Sequence, residues 1–172
     1  FEQGQVTQDD LRIRRFEELL TAIGSDSDAP RFSHLYLNNL SQQTVLIDGA
    51  EAVLKKLAAR CRFVIITNGL HQVQRPRFRD SAIASLLTDI VISEEVGFAK
   101  PDTAIFEIAF EKMNHPPKSE VLMVGDSLSS DIQGGSNFGL DTCWYNPIGK
   151  IRDIDVTVTY EIAALEELLT II

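Results

Sequence analysis

What this 172-residue chain lacks narrows its chemistry before any motif is read. It has two cysteines, Cys61 and Cys143, and their separation matches neither a CxxC pair nor a zinc-ligand set. That leaves no basis for a disulfide framework or a structural zinc. Two small thiols in a reducing, cytoplasmic setting are the expectation. No apolar run approaches the ~18 residues of a membrane span, and no basic run of five or more residues occurs. The 16 Lys and Arg are outnumbered by 25 Asp and Glu, for a formal net charge of -9. A nucleic-acid polymer, whose phosphates call for clustered cations, is therefore not the expected partner. Signal-peptide patterning, internal repeats and low-complexity stretches are also missing. The sequence begins at Phe1 rather than Met, so a piece upstream of it is expected to be absent.

What is present is ordinary globular material, 44% hydrophobic and 24% charged, enough apolar residue to build a core. Residues 1–44 differ from the rest. Asp9 to Leu20 carries apolar residues at helical spacing, with Thr7 or Asp9 placed to cap it. A loop from Gly24 to Pro30 and a second helix from Arg31 to Leu40 follow. From Val45 onward helices alternate with short apolar strands. Helices are predicted over 50–59, in part of 72–85, over 102–113 after Pro101, over 131–138 with Gly139 as its stop, and over 161–169. Strands are predicted at 63–66, 90–92, 121–124, 142–145 and 156–160. Alternation of this kind predicts an α/β fold, a mostly parallel sheet covered on both faces, with residues 1–44 as a small helical unit and 45–172 as the core. Right-handed crossovers bring all the strand ends to one edge.

Three polar clusters follow strands. Thr67-Asn68-Gly69 comes directly after the strand ending at Ile66. Lys100-Pro101 comes a loop after the strand ending at Ile92. Asp126 and Asp131 follow the strand ending at Val124, in Val121-Leu122-Met123-Val124-Gly125-Asp126-Ser127-Leu128-Ser129-Ser130-Asp131. Each alone reads as a turn, a surface Lys or a helix cap. Together at one sheet edge they supply a hydroxyl with backbone amides, an ammonium and a carboxylate suited to a hard cation, the parts of a phosphate site.

In that order the three clusters resemble motifs II, III and IV of the haloacid dehalogenase-like (HAD) hydrolases. Val91-Ile92-Ser93-Glu94-Glu95-Val96-Gly97 and Cys143-Trp144-Tyr145-Asn146-Pro147 resemble the branch that contains bacterial pyrimidine 5'-nucleotidases. The resemblance covers residues 45 to 170 well, and the first 44 resemble the end of a helical cap. It implies a three-layer Rossmann-like core and a Mg²⁺ cofactor. Thr67 would bind the transferring phosphoryl group with the Asn68 and Gly69 amides, and Lys100 would offset negative charge. Asp126 would bind the metal, and Asp131 would support Lys100 and the metal shell from behind. The implied reaction is hydrolysis of a small phosphorylated metabolite, favoured as a nucleoside 5'-monophosphate, with a sugar phosphate as the runner-up. A dehalogenase fits less well, because Thr67 and Asp126 suit phosphate and metal.

One part of the pattern is missing. The family's nucleophile is the first Asp of a DxDxT motif at the end of an apolar strand, and the second Asp is its general acid and base. Asp26-Ser27-Asp28 has no apolar strand ahead of it. Asp153-Ile154-Asp155-Val156-Thr157 fits the letters, but its apolar stretch follows the Asp residues, so they are expected at the opposite sheet edge. The implied strand would lie between those at Phe63 and Val121, and its loss would strand buried backbone groups at about 1–3 kcal/mol each. The expectation is therefore that the strand exists upstream or is supplied by another chain. Otherwise the chain is an inactive fragment or a phosphate-binding module. Among the remaining residues, Trp144 reads as core, Asn146-Pro147 as a turn, Glu94-Glu95 as a solvated loop, and His34, His71 and His115 as scattered, with a substrate contact open to His71. Gly135 and Gly139, spaced GxxxG in a polar helix, mean close packing rather than membrane pairing.

Overall fold

The computed structural model describes residues 8–172, with side chains described from residue 12 onward. Thr7, one of the two expected caps, lies outside the described residues, and Asp9 falls within the first helix. That helix, α1 (Gln8–Ala22), pairs with α2 (Ala29–Ser41). Phe16, Leu20 and Ala29 form their shared core with Ile13 packed against it. The second helix starts two residues earlier than expected, because the Asp28 carboxylate caps it at the Arg31 amide and Pro30 fits its first turn.

The rest is layered. Helix α3 (Ala50–Leu57) leads into β1 (Phe63–Thr67). After it come α4 (His71–Arg79), β2 (Leu87–Ile92), a single turn α5 (Ser93–Val96) and α6 (Thr103–Lys112). Strand β3 (Leu122–Gly125) runs into a π-helical turn at Leu128–Ile132 continued by α7 (Gln133–Phe138). Strand β4 (Asp141–Tyr145), β5 (Tyr160–Ile162) and α8 (Leu168–Ile171) complete the order. The paired strands are parallel: β1 with β2 in one sheet, and β3-β4-β5 in another.

The two sheets are halves of one layer. Val64 and Ile66 of β1 and Met123 of β3 pack against one cluster, built on Val91, Ile105, Phe106 and Phe138 under α6 and α7. Phe63 of β1 and Leu122 and Val124 of β3 pack against the other, built on Val53, Leu57, Cys143 and Leu168 under α3 and α8. Side chains alternate between faces along a strand, so β1 and β3 present the same two faces without bonding each other. Every residue of both strands is only half buried, whereas Val91 and Ile92 of β2 and Cys143 and Trp144 of β4 are buried. An inner strand of a parallel sheet is normally covered on all sides. The open lane between β1 and β3 lies where the implied additional strand was expected.

Two glycines are fixed by their surroundings. Gly139 takes φ +85 to end α7, as expected of a C-terminal glycine,. A Cβ at Gly135 would stand 2.9 Å from the Met123 side chain, so α7 lies close on β3. Two expected elements differ. Of the strand expected at 156–160 only Tyr160 joins a ladder: Ile154, Val156 and Val158 pack against Leu128, Ile132 and Trp144 in a return segment, and β5 begins at Tyr160. Glu161 therefore lies in a strand, and the closing helix is confined to a turn at Leu165–Glu167 plus α8. Asp153 and Asp155 are exposed on the return segment.

Cys143 is fully buried and Cys61 half buried, and both are unpaired. Burial pushes the Cys143 thiol up to about 11, with Glu167 adding to the shift. At pH 8 it stays protonated, and only the thiolate is reactive. Maleimide should label Cys61 and spare Cys143 until the protein unfolds, and mass spectrometry of the labelled peptides checks this. Equal labelling of both in the folded state would contradict it.

Candidate active site

Thr67 is the last residue of β1, pairs with Ile92 of β2, and opens the turn that leads to α4. Asn68, next in the chain, turns its side chain away from that turn. Its Nδ2 donates to the Lys100 carbonyl at 2.8 Å, and its Oδ1 accepts from the Lys100 amide at 2.7 Å. One carboxamide thus holds both backbone groups of Lys100. Only the Asn68 backbone amide is left for an anion. Gly69 has no room for a side chain, since a Cβ there would meet Gln74 Nε2 at 2.6 Å.

Lys100 is 8% exposed. Its ammonium donates to the Ile66 carbonyl at 2.8 Å and to Asp131 Oδ1 at 2.6 Å. Asp131 is 5% exposed, and its other oxygen, Oδ2, accepts from the Ser127 amide at 3.1 Å. Both carboxylate oxygens are therefore committed. A buried pair of this kind persists only when its remaining hydrogen-bonding capacity is met, and Ile66 and Ser127 meet it here. Gly125 makes room: a Cβ on it would lie 2.4 Å from Asp131 Oδ2. The glycine before Asp126 is thus needed by the carboxylate six residues on, a constraint that the G-D-x-x-x-x-D spacing carries but that reads in sequence as a simple turn.

Asp126 follows β3 and is exposed. Its backbone carbonyl accepts from the Trp144 indole at 3.1 Å. Among the described residues its carboxylate has no hydrogen-bond or ion-pair partner, and no cluster of three His, Cys, Asp or Glu forms a metal cage. Mg²⁺ commonly takes one or two carboxylates, keeps several waters and completes its shell with substrate phosphate. A single uncommitted carboxylate at the strand edge fits that donor set, so Asp126 is the residue that could hold such an ion,.

Beside Asp126 opens a cleft of about 370 Å³, lined by Ile47, Tyr145, Asn146, Pro147 and Lys150 among others. Asn146 is buried and builds the loop. It accepts from the Lys150 amide at 2.8 Å and donates to the Lys150 carbonyl at 3.1 Å and to Glu161 at 2.8 Å. It is a turn, as expected, that also borders the cleft. Glu94 and Glu95, expected as a solvated loop, are exposed but lie on α5, and both have side-chain partners. Glu94 accepts from the His71 amide at 2.6 Å and lies 2.9 Å from its Nδ1, and Arg75 donates to both oxygens of Glu95. Bonding to Arg75 holds the Glu95 carboxyl below the usual carboxylate range. His71 is thus turned to Glu94, while His34 and His115 lie on other elements.

The structure therefore links Asn68, Lys100 and Asp131 by direct hydrogen bonds, with Thr67 adjoining as the chain neighbour of Asn68 and Asp126 as that of Ser127. Among the described residues, Asp153 and Asp155 make no hydrogen bond or ion pair to it. The contributions of Trp144, Ser127 and Gly125 were not read from the sequence, because each acts on a group that only folding brings near.

Comparison with known proteins bears out the family resemblance, over a span that differs from the expected 45–170. A family model described as a hydrolase, haloacid dehalogenase-like hydrolase, matches residues 6–139. The chain is 38% identical to the HAD-hydrolase YfnB of Bacillus subtilis (strain 168), over 100% of this chain and 73% of that protein. It is 33% identical to the pyrimidine 5'-nucleotidase YjjG of Escherichia coli (strain K12), over 98% of this chain and 74% of that one. It is 32% identical to the pyrimidine 5'-nucleotidase PynA of Streptococcus pneumoniae, over 98% and 71%. The crystal structure of YfnB bound to magnesium superposes with a TM-score of 0.93, covering 99% of this chain and 75% of that one.

Removing the charge of Asp131 while keeping its shape leaves the Lys100 ammonium buried without its counter-charge. Asp131→Asn should cost about 3–5 kcal/mol of stability, read as a lowered urea midpoint at unchanged slope. A loss below about 1 kcal/mol, the scale of an exposed pair, would contradict the arrangement.

Proposed function

The chain belongs to the haloacid dehalogenase-like hydrolases, and on that premise we propose that it hydrolyses small phosphomonoesters with Mg²⁺, favouring nucleoside 5'-monophosphates. The observation that carries the phosphatase reading is the hydrogen-bonded chain from Asn68 through Lys100 to Asp131. It fixes a buried ammonium against the Ile66 carbonyl, one residue before Thr67, and against Asp131, five residues after Asp126. The nucleotide preference rests on likeness to the pyrimidine 5'-nucleotidases. No helix among the described residues is long and apolar enough to cross a membrane, and the net charge of -9 favours a small anion held locally over a polymer.

In this reading the Thr67 hydroxyl and the Asn68 and Gly69 amides donate to the phosphoryl oxygens. Lys100 offsets charge on the phosphate and on the attacking carboxylate, as preorganised donors in a water-poor site do well. When bound, Mg²⁺ neutralises phosphoryl charge beside Asp126. The nucleophile is an Asp carboxylate that attacks phosphorus while the ester oxygen leaves with a proton from a second Asp; water then cleaves the aspartyl-phosphate. Among the described residues no Asp stands at the end of an apolar strand facing Thr67. The lane between β1 and β3 is where a strand carrying it satisfies both faces of the layer. Residues 1–44 are read as part of a helical cap and 45–172 as the α/β core.

A panel of phosphomonoesters with and without Mg²⁺ tests this. Phosphate release from pyrimidine nucleoside monophosphates that needs Mg²⁺ is expected, with Thr67→Ala lowering kcat about 10²–10³-fold and Asp126→Asn abolishing the Mg²⁺ response. Release from a sugar phosphate but from no nucleotide would sink the nucleotide preference. The lack of a described nucleophile favours one other reading, a phosphate-binding module. Beryllium fluoride separates the two: it mimics an aspartyl-phosphate and is retained only if the nucleophile is present.

A further inference from the structure

Trp144 is the single tryptophan of the chain and is 1% exposed. It lies on β4 opposite Gly125 of β3, in a cluster with Leu128 and Ile132 that the return segment covers through Ile154, Val156 and Val158. A buried indole N–H needs an acceptor. Its acceptor is the Asp126 carbonyl at 3.1 Å. The same peptide unit is held at its other polar atom, where the Ser127 amide donates to Asp131 Oδ2 at 3.1 Å. The Asp126–Ser127 bond is trans, so its C=O and N–H point in opposite directions. Trp144 and Asp131 therefore grip one peptide plane from opposite sides. With both atoms committed, only the side chain of Asp126 remains to face the cleft.

We propose that Trp144 is a positioning residue for Asp126: its indole N–H fixes the peptide plane that aims the Asp126 carboxylate at the metal position. The inference rests on the reading of Asp126 as the Mg²⁺ holder. The grip extends outward, since Arg152 lies over the Trp144 ring at 6.0 Å and pairs with Glu161, the partner of Asn146 in the cleft loop. The cleft wall and the carboxylate are thus tied to one ring. Asp131, the opposite grip, also holds Lys100, so the ammonium and the metal carboxylate are set by a single peptide plane.

With one tryptophan, residue-wide replacement is a point substitution. Biosynthetic incorporation of β-(3-benzothienyl)alanine keeps the ring shape and replaces the N–H by sulfur. Mg²⁺ affinity is read by calorimetry, and melting temperature serves as the fold control. The isostere should melt near the unsubstituted protein yet bind Mg²⁺ roughly three- to tenfold more weakly, the range expected for one neutral hydrogen bond. Trp144→Phe should weaken binding in the same direction. In the unsubstituted protein the lone indole N–H cross-peak should shift as Mg²⁺ saturates, and Asp126→Asn should abolish that shift. Isostere affinity within twofold of the unsubstituted protein overturns the inference and leaves the metal reading standing. Failure of the unsubstituted protein to bind Mg²⁺ overturns the metal reading and the inference with it.

Discussion

The buried pair of Lys100 and Asp131, 2.6 Å apart, is the contact on which the site depends. Taking both charges out of water is costly, and their attraction offsets that cost only if the remaining donors and acceptors are met. Meeting them recruits three other parts of the chain. The Ile66 carbonyl closes the ammonium from β1, the Ser127 amide closes the carboxylate from the loop after β3, and Asn68 holds the Lys100 backbone in register. Between them these bonds draw the ends of β1 and β3 toward one point. The ion pair is the joint at which separately coded segments become one site.

The sheet shows the same economy at larger scale. Its two halves share their cores rather than their hydrogen bonds: one helical layer covers β1 and β3 on one side, and a second covers both on the other. The Lys100 contacts cross between them, from the Ile66 carbonyl of β1 to Asp131 beyond β3. Apolar burial sets how far apart the halves stand, and a few directional bonds at the carboxyl edge set how they are aligned there.

Much of this was legible in the sequence. The strands at Phe63, Leu122 and Asp141 declare themselves because both faces are covered, so apolar residues run without alternation. Thr67 and Asp126 stand out by their place at the ends of such strands, and Lys100 by the Pro that follows it before a helix. What was not legible depends on partners far away in the chain. Glu94 and Glu95 look like a solvated pair until α4 brings His71 and Arg75 against them. Val156 and Val158 alternate as a strand does, yet their alternation serves packing on Trp144 and forms no ladder. Tyr160 to Ile162, which does form one, is too short to stand out. The indole of Trp144 reads as bulk, and its donor gains meaning only when β4 lies beside β3.

The paired acids bear on how a charged ligand arrives. A protein with net charge of -9 repels an approaching phosphate dianion at long range, and beyond about 8–10 Å salt screens most of that field. Inside this distance the local balance decides. There Arg75 neutralises Glu95, and Lys100 neutralises Asp131. These two pairings cancel two of the acids, while the Asp126 carboxylate stays exposed and, among the described residues, unpaired. An anion approaching these paired acids would meet less repulsion than the net charge implies, and a cation held at Asp126 would lower it further.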